Sequence, residues 1–508
     1  MWKWEIAFFS AIGLLSCNPK TESLKILYAT EIGAVADGRT LNTNILQKAI
    51  DQLAAFGGGK LILDAPGQFL SGTLFLKNNV ALQIQAGATL LGSPSIEDYT
   101  PLTQGHNADR QPYHLIVAQE AENISIIGEG IIDGNGKHFW REDNEKDAQG
   151  NFVEPRWIMP KDKKVSPLIE LVRCKNVFIE NITVKTGGGW NIHLHDCQRV
   201  KITGVRIDNS LFSPNSDGID ITGGNDITIS DCYIRTCDDG ICLKTLTESQ
   251  PCRRVTVTNC IIQTSCVALK LGCNESFKDI SDIAFSNCVI DKSSRAIGLY
   301  TKEGGNYENI SINNIVANTN APFVLNRPIQ IMAEKPKDNR LPGSVRNIQI
   351  SNFQCKTQGR ILLTAQEGTL IENISFRDIM LEYAYQENPI PYIEGIKSNQ
   401  YPKAEHNLEA RGATGAIVAE NIRNLVVENI LITWAKDTIP ADWKHPERIE
   451  NGGKRIFRLS YESSREADYP VIWAKNVHGG YIRAFLAKAS ASHVTPFVLK
   501  NSTLSVLK

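Results

Sequence analysis

Three carboxylic acids in two similar segments carry the chemistry that this sequence suggests. Residues 215–220 read Asn-Ser-Asp-Gly-Ile-Asp, and residues 237–244 read Cys-Asp-Asp-Gly-Ile-Cys-Leu-Lys. Asp217 and Asp239 hold equivalent places in the two segments, and Asp238 lies directly beside the second. One Asp-Gly pair is typical of a turn, but two in register with a third acid favour a site. If the segments are neighbouring strands, the equivalent acids lie about 4.8 Å apart, close enough to drive their pKa values apart and to make one an acid and another a base.

The composition describes a large chain without a nucleic-acid footprint. It has 508 residues, 54 Lys and Arg against 55 Asp and Glu, and a net charge of −1. This length is ample for a buried core, and the balanced charge lacks the dense basic surface of nucleic-acid-binding proteins. We therefore expect no nucleic-acid partner.

The first residues are typical of an export signal. Lys3 precedes the apolar run 6–15, which is too short to span a bilayer. The run ends in Leu-Leu-Ser-Cys, which resembles a bacterial lipoprotein processing site with Cys17 as the lipid-bearing residue; an ordinary signal with an incidental cysteine is the alternative. We expect a signal at 1–17, a linker at 18–30, and an exported monomer, periplasmic or on the cell surface of a bacterium, that meets the membrane only through this anchor.

The positions of the cysteines favour apolar packing in a stacked repeat over a disulfide framework. There are 12, so 11 remain after Cys17, and an odd number excludes complete intramolecular pairing. Cys232, Cys260 and Cys288 recur every 28 residues, as small hydrophobic side chains do in a stacked repeat. No spacing predicts a metal site. Two pairings stay open, Cys237 with Cys242 and Cys266 with Cys273.

Residues 31–508 are predicted to form one solenoid domain. A helix is expected over 44–56, with Thr43 as its cap and the glycines 57–59 as its end. Short strands follow at 61–63, 69–70, 74–76, 80–84 and 89–91. An apolar strand pattern then recurs, mostly every 23 to 28 residues, from Ile124, Val177, Val200, Ile227, Val255, Ile283, Ile310, Ile348, Ile374 and Leu425.

Each repeat of this pattern has a residue that suits a tight corner. The fifth place holds Asn or Asp, which tolerate left-handed backbone, at Asn181, Asp231, Asn259, Asn287, Asn314, Asn352, Asp378 and Asn429. A period in the twenties built from strands predicts an all-β fold, a right-handed parallel β-helix, with the early helix capping its open end. Residues 142–164 and 382–413 are expected to be inserted loops, the second beside the cleft.

Aligned repeats also predict which side chains share a face. Inward ladders are Ile192, Ile219, Ile241, Leu269, Ile297 and Leu194, Ile221, Leu243, Leu271, Leu299. Strand alternation turns two columns outward: His193, Asp220, Cys242, Lys270, Gly298 and His195, Thr222, Lys244, Gly272, Tyr300. The preceding turn carries Trp190, Asp217, Asp239, Val267 and Arg295. Any one of these is equally compatible with packing or with a solvated charge. Their coincidence favours a groove for an acidic polymer, with substrate contacts from Trp190, His193, His195, Asp220, Lys244, Lys270 and Tyr300.

At these motifs the sequence resembles glycoside hydrolase family 28, the polygalacturonase group. The likeness covers nearly all of the chain after the signal and includes 33–38, the early helix with its glycine triplet, 87–92, 128–134 and both aspartate segments. It implies a pectin-lyase-like β-helix and inverting, metal-free hydrolysis of pectic polysaccharide. Asp238 would be the general acid, and Asp217 and Asp239 would activate water. Asn215, which matches the family's Asn-(Thr/Ser)-Asp, would contact the substrate. An inverting pair must stand about 6.5–9.5 Å apart, a gap that Asp238 can meet diagonally.

Two departures from the family concern its grip on the sugar carboxylate. The usual Gly-His-Gly is replaced by residues 265–268, and the usual Arg-Ile-Lys by residues 298–300. Lys270 lies in the same outward column and could replace the missing charge. Alternatively, the adjoining sugar is not galacturonate, as in rhamnogalacturonan-cleaving members. Two rival functions stay open: a calcium-dependent β-helix polysaccharide lyase, and a non-catalytic glycan-binding β-helix.

Overall fold

The chain winds into a right-handed parallel β-helix. The computed structural model describes residues 25–64, 66–102, 110–142, 158–160, 162–321, 326–384, 386, 408–435, 448–450, 453–455, 468–483 and 486–507. One 34-stranded sheet, parallel at every paired strand, holds the described coils. Three ladders of strands make its three faces, and the predicted fold class is confirmed.

The first face carries the aspartate segments. Its strands are Leu74–Phe75, Ile116–Gln119, Ile169–Val172, Ile192–His195, Ile219–Thr222, Ile241–Thr245, Val267–Ser276, Arg295–Thr301, Arg327–Ala333, Ile361–Ala365 and Phe497–Lys500. The second face contains Lys25–Tyr28, Gly59–Leu63, Val80–Ile84, Glu122–Gly128, Lys175–Glu180, Gln198–Thr203, Gly224–Ser230 and Cys252–Thr258. The third contains Asp37–Leu41, Gly67–Ser71, Ala88–Gly92, Ile131–Asp133, Thr183–Lys185, Arg206–Asp208, Tyr233–Thr236 and Ile261–Thr264, whereas the last strand, Ser505–Val506, extends the second face.

Longer strands run through more than one face in the later coils. They are Ile280–Lys292, Tyr307–Asn318, Ser344–Thr357, Leu370–Tyr383, Ile417–Thr433 and Ile472–Arg483. Two small antiparallel pairs lie outside the coil, Trp140–Glu142 with Ile158–Pro160 and Arg448–Glu450 with Gly453–Arg455. Short 3-10 turns occupy Ile96–Asp98, Gly136–Phe139 and Glu409–Arg411.

The early helix spans Thr43–Ala55 and presents an apolar stripe to the first coils. The predicted cap is wrong by one residue: Asn42 precedes the helix, and the Thr43 hydroxyl instead accepts a hydrogen bond from the Gly72 N–H at 2.7 Å. The Asn42 amide is held by the Val35 backbone, with distances of 2.8 and 2.9 Å. Four side chains of the stripe are buried, Leu46, Ala49, Ile50 and Leu53.

The predicted register of the coil is confirmed. The ten repeat starts from Ile124 to Leu425 pair one to the next along the second face. Inward side chains such as Ile219 and Ile241 have no exposed surface, and each such burial contributes about 1.5–3 kcal/mol. Apolar ladders therefore fix which residues face outward.

Two series of corners with left-handed backbone recur along the coil. All eight predicted Asn and Asp corners have φ between 49° and 57°. A second series was not predicted: Asn309, Asn347, Asn373 and Asn424 also have positive φ. The Nδ2 of each of the last three donates to the Oδ1 of the preceding member over 2.8–3.3 Å. These residues directly precede the apolar strand pattern, so in these coils the pattern has a left-handed corner on both sides.

The coil begins earlier than the predicted linker allows. Lys25–Tyr28 pairs with Gly59–Leu63, so the last part of the expected 18–30 linker is a strand. The predicted signal and Cys17 lie outside the described residues, as do most of the inserts 142–164 and 382–413. Over the part of the chain that the structure describes, no helix has the length and hydropathy to cross a membrane.

The cysteine stack is confirmed as apolar packing. Cys232, Cys260 and Cys288 are buried on successive coils, and each thiol donates to a backbone carbonyl two residues before it. All eleven described cysteines are free thiols. The two pairings left open by the sequence are therefore not formed.

Candidate active site

The two aspartate segments lie on neighbouring rungs of the first face. The Gly218 N–H donates to the Asp239 carbonyl at 2.8 Å, and Ile219 pairs with Ile241. A Cβ on Gly218 would approach the Gly240 carbonyl to 2.4 Å, so the repeated Asp-Gly allows rungs to stack this closely. Asp217 contacts Lys244 and Asp239 contacts Lys270. Both lysines belong to the outward columns, so the two carboxylates lie on the outer side of the coil.

Further contacts hold the first segment against the rungs on both sides of it. The Ser216 hydroxyl accepts a hydrogen bond from the Cys237 N–H at 3.1 Å, and the Asn191 side chain donates to the Asp217 carbonyl at 2.7 Å. Both contacts are buried. They hold Asp217 and the 238–239 pair in fixed relation, and the sequence pattern predicted neither of them.

The three acids differ in exposure. Asp217 and Asp239 are buried, whereas Asp238 is half-buried. The Asp239 N–H donates to Asp238 Oδ1 at 3.1 Å, and the Asp238 carbonyl accepts from the Thr264 hydroxyl. Asp238 is therefore the member of the cluster that solvent or a ligand reaches most readily.

Lys244 is buried among carboxylates. Its Nζ lies 3.2 Å from Asp217 Oδ2, 2.8 Å from Asp220 Oδ1 and 3.7 Å from Glu275 Oε2. Burial alone would lower the pKa of Lys244, but these carboxylates raise it well above its ordinary value. Lys244 is therefore a permanent cation inside the cluster, engaged by protein groups.

The crowding of charged groups around Lys244 changes the pKa values of the neighbouring acids. Burial, together with the charge of Asp220, raises the pKa of Asp217 well above its ordinary value, while Lys244 opposes the rise. Burial also raises the pKa of Asp220, to about 7, against the same lysine. Lys270 forms an ion pair with Asp239, and this carboxylate keeps the pKa of Lys270 high against the effect of burial. Each of the two expected water-activating acids thus contacts a different lysine, and Asp217 shares its lysine with Asp220 and Glu275.

Trp190 and His193 do not fit the predicted role of direct sugar contacts. The Lys244 ammonium lies 3.6 Å from the centre of the Trp190 ring, so that ring face is already occupied. His193 has no exposed surface; its Nδ1 is 2.7 Å from Glu170 Oε2 and its Nε2 is 2.8 Å from Thr222 Oγ1. Burial lowers the pKa of His193, and the ring packs edge-on against Trp190 at 5.3 Å. Both residues support the site from behind.

Glu170, His193 and Thr222 are connected in the manner of a nucleophilic triad, but the geometry does not suit one. All three are buried. The nearest backbone donors that could stabilise an oxyanion are already used, since Gly223 N–H donates to the Lys244 carbonyl at 3.0 Å and Gly224 N–H to the Pro251 carbonyl at 3.1 Å. Arg110 instead pairs with Glu170, which makes this a buried structural network.

Three other predicted contacts have different positions. Asn215 is half-buried with left-handed φ of 48°. His195 Nε2 lies 3.7 Å from Asp196 Oδ2, and burial lowers the pKa of this histidine to about 3, so it is neutral. The Tyr300 hydroxyl donates to Gln330 Oε1 at 3.3 Å, and its ring belongs to a small buried apolar cluster with Val267 and Met332. Of these three, Asn215 retains the most exposure for a ligand.

One outward column is confirmed and the other is interrupted. His193, Asp220, Cys242, Lys270 and Gly298 pair in the predicted order. Lys244 does not pair with Gly272, because the register shifts after Leu243 and Thr245 pairs with Ser276. The extra residues form a bulge that brings Glu275 to Lys244. A bulge leaves no periodic signal, so the sequence could not reveal that Glu275 is a third carboxylate partner of Lys244.

The cluster does not resemble a calcium cage. Among the described residues, one group has three potential ligand atoms within 4.8 Å of one another, from Asp238, Asp239 and Cys266. Calcium takes six to eight oxygen ligands, whereas burial and the two neighbouring carboxylates raise the pKa of Cys266 well above its ordinary value and keep it a thiol. Lys270 already occupies Asp239. The donor set favours acid–base chemistry.

A β-helix with a fixed acid cluster and flanking cations on its outer face defines the class of carbohydrate-active solenoid enzymes. Residues 63–400 match the model of glycosyl hydrolases family 28, and the chain belongs to that family. All of the acids described above lie inside the match.

Curated relatives agree with this assignment, and a solved structure shares the fold. The chain is 31% identical to a probable polygalacturonase of Vitis vinifera over 241 residues, 45% of either chain. It is 29% identical over 256 residues to an exo-poly-alpha-D-galacturonosidase of Dickeya chrysanthemi, covering 43% of this chain and 41% of the relative. The match thus spans less than half of the length of these relatives. A hyperthermoactive exopolygalacturonase from Thermotoga maritima shares the fold, with a TM-score of 0.63, 21% identity, and coverage of 80% of this chain and 92% of that one.

Proposed function

We propose that the protein is an inverting glycoside hydrolase that cleaves glycosidic bonds in pectic polysaccharide. The observation that carries the proposal is the fixed placement of Asp217, Asp238 and Asp239 on two adjacent rungs, outside the apolar interior. Family membership and the names of the curated relatives support a pectic substrate.

We assign a catalytic role to each of the three acids from its exposure and its partners. Asp238 is the most exposed and acts as general acid, giving its proton to the glycosidic oxygen as the bond to the anomeric carbon breaks. Asp217 and Asp239, each beside a lysine, hold a water on the opposite side of the sugar ring. The water oxygen bonds to the anomeric carbon while its proton passes to one of these carboxylates. Protons balance, and no covalent intermediate forms.

The substrate grip differs from the usual one in the family. Lys270, predicted to replace the missing arginine, is engaged by Asp239, and Tyr300 is buried. The names of the relatives favour a galacturonan-type substrate, while the rebuilt grip favours a rhamnogalacturonan-type one. Both are pectic, and the released sugar distinguishes them.

We further propose that cleavage occurs near chain ends. Beyond Gln330 the outward column turns apolar, with Leu362, Val418 and Trp473 in register. Ala410 and Ala413 pack over these side chains, and the Ala410 N–H donates to Glu420 at 2.8 Å. A groove covered on one side accommodates a terminus better than the middle of a polymer.

The direct test is incubation with defined galacturonan and rhamnogalacturonan oligosaccharides, followed by identification of the products. Saturated products of one or two sugars, formed equally in the presence of a chelator, agree with the proposal. Unsaturated products that require calcium would establish a lyase. Binding of the oligosaccharides without any product from either series would establish a glycan-binding protein.

Export by a lipid anchor is a separate proposal, supported by the apolar run 6–15 and the Leu-Leu-Ser-Cys that follows it. Cells grown with labelled palmitate should incorporate the label into the native protein and not into the Cys17→Ser variant. Equal labelling of both proteins would contradict the anchor.

A further inference from the structure

Lys244 is a buried cation, and the reaction described above does not require it to contact the sugar. Only about 3% of its side chain is exposed. Its ammonium nonetheless has four partners, Asp217, Asp220, Glu275 and the Trp190 ring, at 3.2, 2.8, 3.7 and 3.6 Å. A lysine taken out of water to this extent is rare unless its charge is compensated.

The position of the ammonium is fixed from behind by a buried relay of side chains. Trp190 supports it with a ring face, and His193 packs against Trp190 edge-on at an interplanar angle of 70°. His193 is in turn held by Glu170 at 2.7 Å, and Glu170 by the Nε of Arg110 at 2.9 Å. The relay leaves Lys244 little freedom to move away from Asp217.

The charges around Asp217 are unbalanced toward the negative. The ionised form of Asp217 is disfavoured by Asp220 in the same segment and by Asp238 and Asp239 on the neighbouring rung. Glu275 shares the same lysine from the next strand. Against these acids, Lys244 is the cation that touches Asp217, while Lys270 is held by Asp239. Removing Lys244 would leave a buried carboxyl surrounded by acids, which strongly disfavours its ionised form.

We propose that Lys244 is a positioning residue that stabilises the ionised form of Asp217 and orients this carboxylate so that it can serve as a base toward water. Lys244 acts through Asp217 and does not touch the sugar. The inference rests on the proposed hydrolase function and adds to it the group that sets the lower pH limit of the reaction.

The experiment measures kcat/KM against pH on a pectic oligosaccharide for the wild type and four variants. In Lys244→Met the acid limb should move upward by about 1–3 pH units, the effect of one opposite charge within contact distance. In Lys244→Arg, which restores the charge, the limb should stay near its original position. In Asp220→Asn the limb should move downward, because a competing acid is removed and the ammonium is shared by Asp217 and Glu275 only. Lys201→Met is the matched control, since Lys201 is half-exposed and pairs with Glu180 at 3.0 Å on the second face.

A further variant covers the case in which Lys244→Met does not fold. The double variant Lys244→Met/Asp220→Asn removes one charge of each sign, and its acid limb should lie above that of Asp220→Asn alone. A limb that is unchanged in folded Lys244→Met, or equal in the double and single Asp220 variants, would overturn the inference. Such a result would leave the hydrolase proposal standing, since Asp238→Asn tests that independently.

Discussion

Replacement of Glu170 by Gln tests whether the buried network behind the acid cluster is structural. The change keeps the size of the side chain but removes the charge that Arg110 and His193 share. The Arg110 and Glu170 side chains are 5% and 0% exposed, respectively. Breaking a buried pair by removing one partner costs about 3–5 kcal/mol. Since Gln can still accept a hydrogen bond, we expect the lower end, a loss of about 3 kcal/mol in the free energy of unfolding.

The chain offers a matched control in Glu180→Gln. Glu180 pairs with Lys201 at 3.0 Å, with side chains 31% and 51% exposed. An exposed pair contributes about 0–1 kcal/mol, so this variant should unfold close to the wild type. Urea unfolding followed by tryptophan fluorescence compares the three proteins.

The pH dependence of the loss has a defined sign. Although burial would raise it, His193 and Arg110 hold the pKa of Glu170 well below its ordinary range. The stabilisation is therefore complete above the pKa of unfolded glutamate, about 4.3, and is lost as the pH falls through the folded value. The difference between wild type and Glu170→Gln should be full at neutral pH and should shrink below about pH 4. Equal stability of Glu170→Gln and Glu180→Gln, with a raised KM in the former, would refute the structural role and return His193 to the substrate.

Two further predictions concern stability. Burial lowers the pKa of His114 to about 4, so protonation of the unfolded chain below about pH 6.5 destabilises the fold by about 1.4 kcal/mol per pH unit. His114→Gln should lack this loss of stability, which totals about 3 kcal/mol between pH 6.5 and 4. Parallel pH profiles of the urea midpoint for the two proteins would contradict the prediction. Asn347 has φ of 57° and bridges Asn309 and Asn373. Asn347→Ala should cost about 1–2 kcal/mol and Asn347→Gly less, and the reverse order in thermal unfolding would exclude backbone strain as the cause.

The repeat made the fold and the relation between the acids predictable from the sequence. Period and alternation specify the pairing of Ile219 with Ile241, and this pairing places Asp217 and Asp239 on neighbouring rungs. The asparagine corners were also predictable, because few side chains tolerate left-handed backbone. These features are local and repeated, so a single sequence contains many copies of the evidence.

The environment of the acids was not predictable in the same way. Alternation gives the direction of a side chain but not its exposure, and outward His193 and Trp190 are buried by partners from other coils. Arg110 reaches Glu170 from 60 residues away, and Glu275 depends on an irregular bulge. The strand Lys25–Tyr28 was missed because it lies before the first recognisable repeat.

The central claim is tested most directly by the turnover of Asp238→Asn on the pectic oligosaccharide that the wild type cleaves. The account predicts a loss of at least about 100-fold in kcat, with unchanged thermal unfolding, because the variant retains the shape of the side chain. Asp226→Asn, an exposed aspartate paired with Arg254 at 2.6 Å, should turn over like the wild type. Equal turnover by the two variants would contradict the assignment of this cluster as the catalytic acid–base site.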